Sequence, residues 1–508
     1  MPSTLYSHIL QGIVTEQSTR EPHVVIIGAG PAGLTAAYEL LRADVRCTVV
    51  ERDTVVGGIS RTVASQGYLF DIGGHRFYTK VSLVEQIWRE VLGKDLLVRP
   101  RQSRIYYKRK FLNYPLLPGE ALQKLGIIES ARCGLSFLKA RVLPIRPEKD
   151  LESWITNRFG RRLFEIFFKT YTEKVWGMSC KEIGADWAAQ RIRGLSLTSL
   201  VMNALFPKRG KEAEIKTLIQ EFLYPRKGPG MMWERLHEQL EAAGTKVVFN
   251  AEVEGIEWGP EGVTGVRTSA GNFPATHVIS SMPIQQLVRA LQPAAPEWLK
   301  PAALKFRYRD FVTVALFIEA RHLFSDNWIY VHEPGVKVGR IQNFKNWSPE
   351  MVPDDSKSCL GLEYFCQEGD QLWNTPDAEL IALATKEIAE LGLVQKEQVI
   401  GGAVVRMPKA YPVYDDHYKG GLELVRRFLG EVKGLQLVGR NGMHRYNNQD
   451  HSMLTGVFAA RNVMGANYDL WEANVDEEYL EEGRVVTEDE LKQMDASQPS
   501  VPGRAASD

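Results

Sequence analysis

The stretch VVIIGAGPAGLTAAYELLRADVRCTVVERDTVVGG, residues 24–58, leaves the start of this chain little conformational choice. The apolar run Val24 to Ile27 reads as a buried strand. Gly28, Gly30 and Gly33 follow at G-x-G-x-x-G spacing, with Pro31 and Ala32 between them. The first glycine permits a tight turn, the second lets the backbone approach a pyrophosphate, and the third lets the next helix pack close to the strand. That helix begins with free N–H groups and the positive end of its dipole, which suit a phosphate. A second apolar strand, Cys47 to Val50, ends at Glu51, at the distance where an acid accepts hydrogen bonds from a ribose diol. Together these features predict a dinucleotide-binding strand–turn–helix–strand unit.

A chain of 508 residues is long enough for two or three domains with well-buried cores. Its 62 basic residues balance 62 acidic ones, which gives no ground for a nucleic-acid partner or a broad basic membrane patch. Five scattered cysteines without C-x-x-C spacing fit a reducing compartment and no metal site. Cys359 and Cys366 share a strand-like segment and read as packing residues. The N-terminus lacks the basic-then-apolar order of a signal peptide. The longest uncharged run, residues 24–38, is broken by three glycines and a proline, so no integral membrane segment is expected. The expectation is a soluble, cytoplasmic protein with loose polar ends at 1–20 and 485–508.

Residues 101–115 read as a hairpin, and 116–223 as mainly helical. In LESWITNRFGRRLFEIFF, Leu151, Trp154, Ile155, Phe159, Leu163 and Ile166 recur at helical spacing. Strand-like segments return at 246–258 and 276–281. Those at 311–320, 327–333, 339–344 and 358–366 suggest an antiparallel sheet. Helices are expected at 377–392 and 452–465, with a buried strand at 435–440 between them. A second G-x-G-x-x-G unit is missing, which argues against a separate nicotinamide-binding domain.

Beyond Glu51 and Arg52 come VVGGISRT and DIGGHRF. Glu51 with Gly57, Gly58, Ser60 and Arg61 resembles the FAD-binding start of the amine-oxidase and protoporphyrinogen-oxidase superfamily. YPRKGPGMMWERL (224–236), VVFNAEVEGI (247–256, with Val253 at the adenine) and GLQLVGRNGMHRYNNQDHSMLTGVFAARNV (434–463) resemble its later flavin-contacting segments. The resemblance implies FAD as cofactor and an α/β fold: a Rossmann-type FAD-binding domain with an inserted helical domain and an antiparallel-sheet substrate domain. The corresponding division is 21–115, 224–300 and 430–470 for FAD, 116–223 for the helical domain and 301–429 for the substrate domain.

Asn448, Gln449, Asp450, His451 and Ser452 resemble the C-terminal motif of UDP-galactopyranose mutases. Gly73, Gly74 and His75 resemble that family's flavin-side loop. VWGMSCKEIGADWAAQRI ends at Arg191, and WIYVHEPGVKVGRIQNFKNWSP carries Tyr330, Arg340 and Asn343. KAYPVY carries Tyr411, with Tyr414 as its competitor, while GRNGMHRY carries Gly439, Arg440 and Tyr446. By resemblance, Tyr330 would touch the uridine and Asn343 would also bind substrate. Arg191, Arg340, Arg440, Tyr411 and Tyr446 would hold a diphosphate, and His75 would position or polarise the flavin. Arginines bind diphosphates through bidentate charge-assisted bonds, and tyrosines add donors without charge. Three residues depart from this pattern or fall outside it. Arg76 stands where an apolar residue is usual, Tyr446 lies two residues nearer Asn448, and His444 reads as a surface residue.

The resemblance implies interconversion of pyranose and furanose forms of a UDP-sugar, with reduced flavin N5 as nucleophile and NAD(P)H a candidate external reductant. A FAD-dependent oxidoreductase of the protoporphyrinogen-oxidase-like group is the alternative. A homo-oligomer would use the helical region.

Overall fold

The computed structural model describes residues 22–114, 123–185, 221–415 and 418–473. A five-stranded sheet is assembled from four separate stretches of chain, in the order Leu435–Leu437, His277–Ser280, Val24–Ile27, Cys47–Val50 and Lys246–Val248. All neighbours are parallel, and Val24–Ile27 sits centrally because it is buried along its whole length. Helix Pro31–Arg42 leaves this strand and packs against helix Gln449–Val463 at very short range. A Cβ on Gly456 would stand 2.3 Å from the Ala32 carbonyl oxygen, so only glycine allows the approach.

A seven-stranded sheet forms the facing layer, in the order Val399–Pro412, Tyr308–Ile318, Ser358–Cys366, Arg340–Asn343, Trp328–Val331, Ser103–Tyr107 and Lys110–Asn113. Tyr308–Ile318 is buried on both faces. Val312, Val314, Leu316 and Ile318 enter one core beneath helix Asp377–Glu390, while Ala315 and Phe317 enter another. Cys359 and Cys366 are free thiols buried in these cores.

Two features depart from the sequence reading. The hairpin at 101–115, grouped there with the FAD domain, extends the seven-stranded sheet. Ser103–Tyr107 pairs parallel with Trp328–Val331, and Ile105 and Tyr106 fill the sheet's two cores. A hairpin is locally complete, so its own residues do not show which edge it joins. The long strand Val399–Pro412 is the second difference: the sequence reading places no strand there, and Gly401, Gly402 and Pro408 stand within it. It is an edge strand with register shifts, where such residues are tolerated.

In the helical part, Asp150 caps Leu151–Phe159 with a reciprocal capping box. Gly160, at φ +83°, ends that helix, and its Cβ would strike the backbone of Phe137. Arg191 lies outside the described residues.

Candidate cofactor and substrate cleft

Between the two large sheets lies a cleft of about 1180 Å³, above the roughly 300–1,000 Å³ of ordinary small-molecule pockets. One wall is built mainly from backbone. Glu51 is fixed by accepting from the Ala29 and Asp53 N–H groups at 2.7 and 2.8 Å. Gly30 and Gly58 face each other: a Cβ on Gly30 would meet only the Gly58 Cα, at 4.0 Å. That slot lies at the uncapped start of helix Pro31–Arg42. Gly28, Pro31, Ala32, Arg52, Ser60, Arg61 and Val253 also line the cleft. Arg61 pairs with Asp53.

Gly33, Gly57 and Gly73 stand behind this lining. A Cβ on Gly33 would lie 1.9 Å from the Gly28 carbonyl oxygen, so its role is close packing. Gly57 and Gly73 hold left-handed turns at φ +93° and +90°.

The far end is closed by the Gly74–His75 loop and the first turn of helix Gln449–Val463. His75 Nε2 lies 2.6 Å from the Ile72 carbonyl oxygen, so this nitrogen carries the proton and Nδ1 is left as an acceptor. Burial, helped by the nearby Arg440 charge, pushes the His75 pKa down to about 3. The ring is therefore neutral while still open to the cleft. Gln449 donates to the His75 carbonyl at 3.0 Å, tying the loop to the helix. Asn448 caps this helix without a side-chain bond, and Gly439, Asp450, His451 and Ser452 line the cleft beside it. Asn441 Oδ1, Gln449 Oε1, Asp450 Oδ1 and His451 Nδ1 are buried without a hydrogen-bond partner among the described residues. These unsatisfied atoms, three of them in the first turn of helix Gln449–Val463, fit a polar ligand in the cleft.

The opposite wall is built from side chains. Arg340 and Glu363 are direct cross-strand partners. Arg340 Nε lies 2.9 Å from both oxygens of Glu363, which is wholly buried. Burial opposes the Arg340 charge, but Glu363 outweighs it and holds the guanidinium protonated. Arg440 donates to the carbonyls of Asn447 and Ala410, both at 2.9 Å, and lies over the rings of Tyr411 and Tyr446. Those rings stack at 5.7 Å, and the Tyr446 N–H donates to the Tyr414 hydroxyl. Burial raises the Tyr411 pKa to about 12, so its hydroxyl stays a proton donor. Arg76 stacks on Phe222 and Trp328.

Tyr330 and Asn343 do not line the cleft. Tyr330 is the cross-strand neighbour of Arg340 but is set back against Tyr114, Tyr171 and Trp328. Asn343 is buried and donates to the Phe324 carbonyl at 3.2 Å. His444, read as a surface residue, is completely buried between Phe306 and Tyr308. Sequence reasoning missed Glu363, although a lone acid in the apolar strand SCLGLEYFC demands a partner. It also missed Arg289, Arg406, Lys409, Arg426 and Arg445, which bring the lining to ten basic and five acidic side chains.

The sequence pattern of the family described as flavin containing amine oxidoreductase matches residues 31–439. The coproporphyrinogen III oxidase of Propionibacterium freudenreichii subsp. freudenreichii is 21% identical over 83% of this chain and 87% of its own length. Reduced UDP-galactopyranose mutase shares the fold at a TM-score of 0.77, with 23% identity over 90% of this chain and 98% of that one. A provisionally assigned protoporphyrinogen oxidase from Exiguobacterium sp. 255-15 follows at 0.65, with 18% identity over 88% and 98%. The glycine slot, the fixed Glu51 and the unsatisfied helix start all suit the dinucleotide these proteins imply. The chain is an FAD-dependent flavoenzyme and belongs to the flavin-containing amine oxidoreductase family.

Proposed function

We propose that this flavoenzyme is a sugar-nucleotide mutase that interconverts the pyranose and furanose forms of a UDP-sugar. The observation that carries the reading is the cleft's charge, with ten basic side chains against five acidic ones. Bound FAD brings its own diphosphate, and a surplus of cations is left for a second. The chemistry supplied by bound, reduced FAD is nucleophilic displacement at the anomeric carbon, without net redox change.

The protein's part is to bind and orient. Arg340, with one edge held by Glu363, and Arg440, anchored to two carbonyls, are set in place before ligand enters. Together with Tyr446, with Tyr411 as a protonated donor, and with Arg191, they hold the leaving diphosphate while the sugar ring opens and closes. His75 enters as an uncharged ring with its Nε2 proton engaged at Ile72, so it orients and polarises the flavin's surroundings and does not deliver a proton. NAD(P)H entering the same cleft would serve as external reductant.

The alternative is net oxidation of a substrate, favoured by the near full-length match to a coproporphyrinogen III oxidase. An anaerobic assay with UDP-galactofuranose, with and without dithionite, decides between them. UDP-galactopyranose formed only with reduced protein is the expected result. No turnover together with no UDP binding would overturn the mutase reading.

A further inference from the structure

Helix Ile127–Val142 touches the body of the protein along a narrow seam, with only Cys133 and Ala140 buried. At about 100° per residue, Ile127, Ile128, Ala131, Leu135, Leu138 and Val142 share an arc of roughly 100° on the opposite side. Ile127 is 89% exposed, Leu135 69% and Val142 77%. Exposed Leu143 and Ile145 continue the surface beyond the helix. Of the thirteen large apolar side chains exposed among the described residues, seven fall between 127 and 145. Scattered single residues of this kind are ordinary, whereas a continuous stripe marks an interaction surface.

The rim of the stripe is basic. Arg132 and Lys139 follow one edge, Arg141 the other, and Arg146 lies just past the end, all exposed. The helix's one acid, Glu129, is turned toward the body and pairs with Arg162. Among the described residues no helix is long and apolar enough to cross a membrane. A second copy laid face to face on this stripe would bring like-charged rims together, which is unfavourable.

We propose that this face docks on an anionic lipid surface, with helix Ile127–Val142 lying in the plane of the interface. The leucines, isoleucines and valine enter the acyl boundary, and the flanking cations reach the lipid phosphates. Near-zero net charge does not conflict with this, because the attraction is local and acts within a Debye length. The inference is independent of which reaction the cleft performs.

The test is co-sedimentation of the FAD-loaded full-length protein with vesicles of phosphatidylcholine alone or containing about one-third phosphatidylglycerol. Binding to the anionic vesicles, weakened by salt, is expected. The variant L135E/L138E should lower that affinity about a hundredfold or more, and R132Q/K139Q/R141Q about tenfold or more. Both keep their FAD content and melting temperature, since the altered side chains are exposed. Wild type that ignores both vesicles, or variants that bind as wild type does, would overturn the proposal. So would a lipid-free dimer that L135E/L138E dissociates, which would make a second copy the occupant. A Leu138→Cys thiol already shielded from a labelling reagent in the lipid-free monomer would place another part of this chain on the face and overturn the proposal equally.

Discussion

On the cleft wall that carries the glycine turn, the ligand-facing groups are largely backbone, and most of the residues that shape them fall in the single stretch 28–61. On the facing wall they are side chains, each held by a partner from a distant strand or loop. Gly30 and Gly58 open a slot simply by lacking a Cβ. Arg340 is placed by Glu363 on the neighbouring strand of its own sheet, and Arg440 by the carbonyl of Ala410, which reaches it only after the two layers have folded together. The first wall should therefore fail by steric intrusion and the second by loss of a buried partner.

The largest effect is expected where glycine packing and folding coincide. Gly33→Val drives side-chain atoms into the Gly28 carbonyl and should cost about 4 kcal/mol or more, read as loss of soluble folded protein. On the other wall, Glu363→Ala strands a buried arginine and should cost about 3–5 kcal/mol in chemical denaturation. The double variant R340M/E363L should recover most of that stability and, under the mutase reading, leave UDP binding lost, which separates packing from ligand recognition. Gly30→Val has room within the protein but fills the slot. It should fold and melt nearly as wild type, yet lose FAD affinity by about tenfold or more in a flavin titration. A Gly30→Val protein that keeps its flavin would break the contrast between the walls.

The pH dependence of stability follows from buried histidines. Burial lowers the pKa of His75 and His332 to about 3 and that of His444 to about 4. Below about 6.5 the unfolded chain takes up these protons and the folded one does not. Stability should therefore fall as pH drops from about 6.5 toward 4. Asp71 opposes this: burial, against hydrogen bonds from Tyr224 and Thr62, raises its pKa to about 7. Below that value the folded state holds a proton that the unfolded state releases. Three groups against one make the acid side the weaker, and denaturation midpoints at stepped pH measure it. The smallest effect is expected for Tyr446→Phe, which keeps the stack on Tyr411. Under the mutase reading it weakens UDP binding by about two- to tenfold and spares FAD content.

Legibility in the sequence follows the same division. The strands Val24–Ile27 and Cys47–Val50 and the turn between them are readable because glycine spacing and apolar runs are local. His75 is readable through its two glycines. Tyr330 and Asn343 are placed by spacing alone, and spacing along a strand does not show whether a side chain faces the cleft or stands behind it. His444 reads wrongly because its neighbours in sequence are polar, whereas its neighbours in space, Phe306 and Tyr308, come from more than a hundred residues earlier. Glu363 carries a visible signal, an acid amid apolar strand residues, but nothing nearby names its partner.

By itself the sequence determined the dinucleotide turn, the order of most strands and helices, and the residue types available for a cationic cleft. These depend on local backbone preference and on periodic burial. Only the tertiary structure decided which sheet the 101–115 hairpin joins and which arginines reach the cleft. It likewise decided which charges are neutralised and which apolar helix face is left uncovered. Each of these is a pairing between distant residues, and pairing energy belongs to the fold rather than to any one segment of the chain.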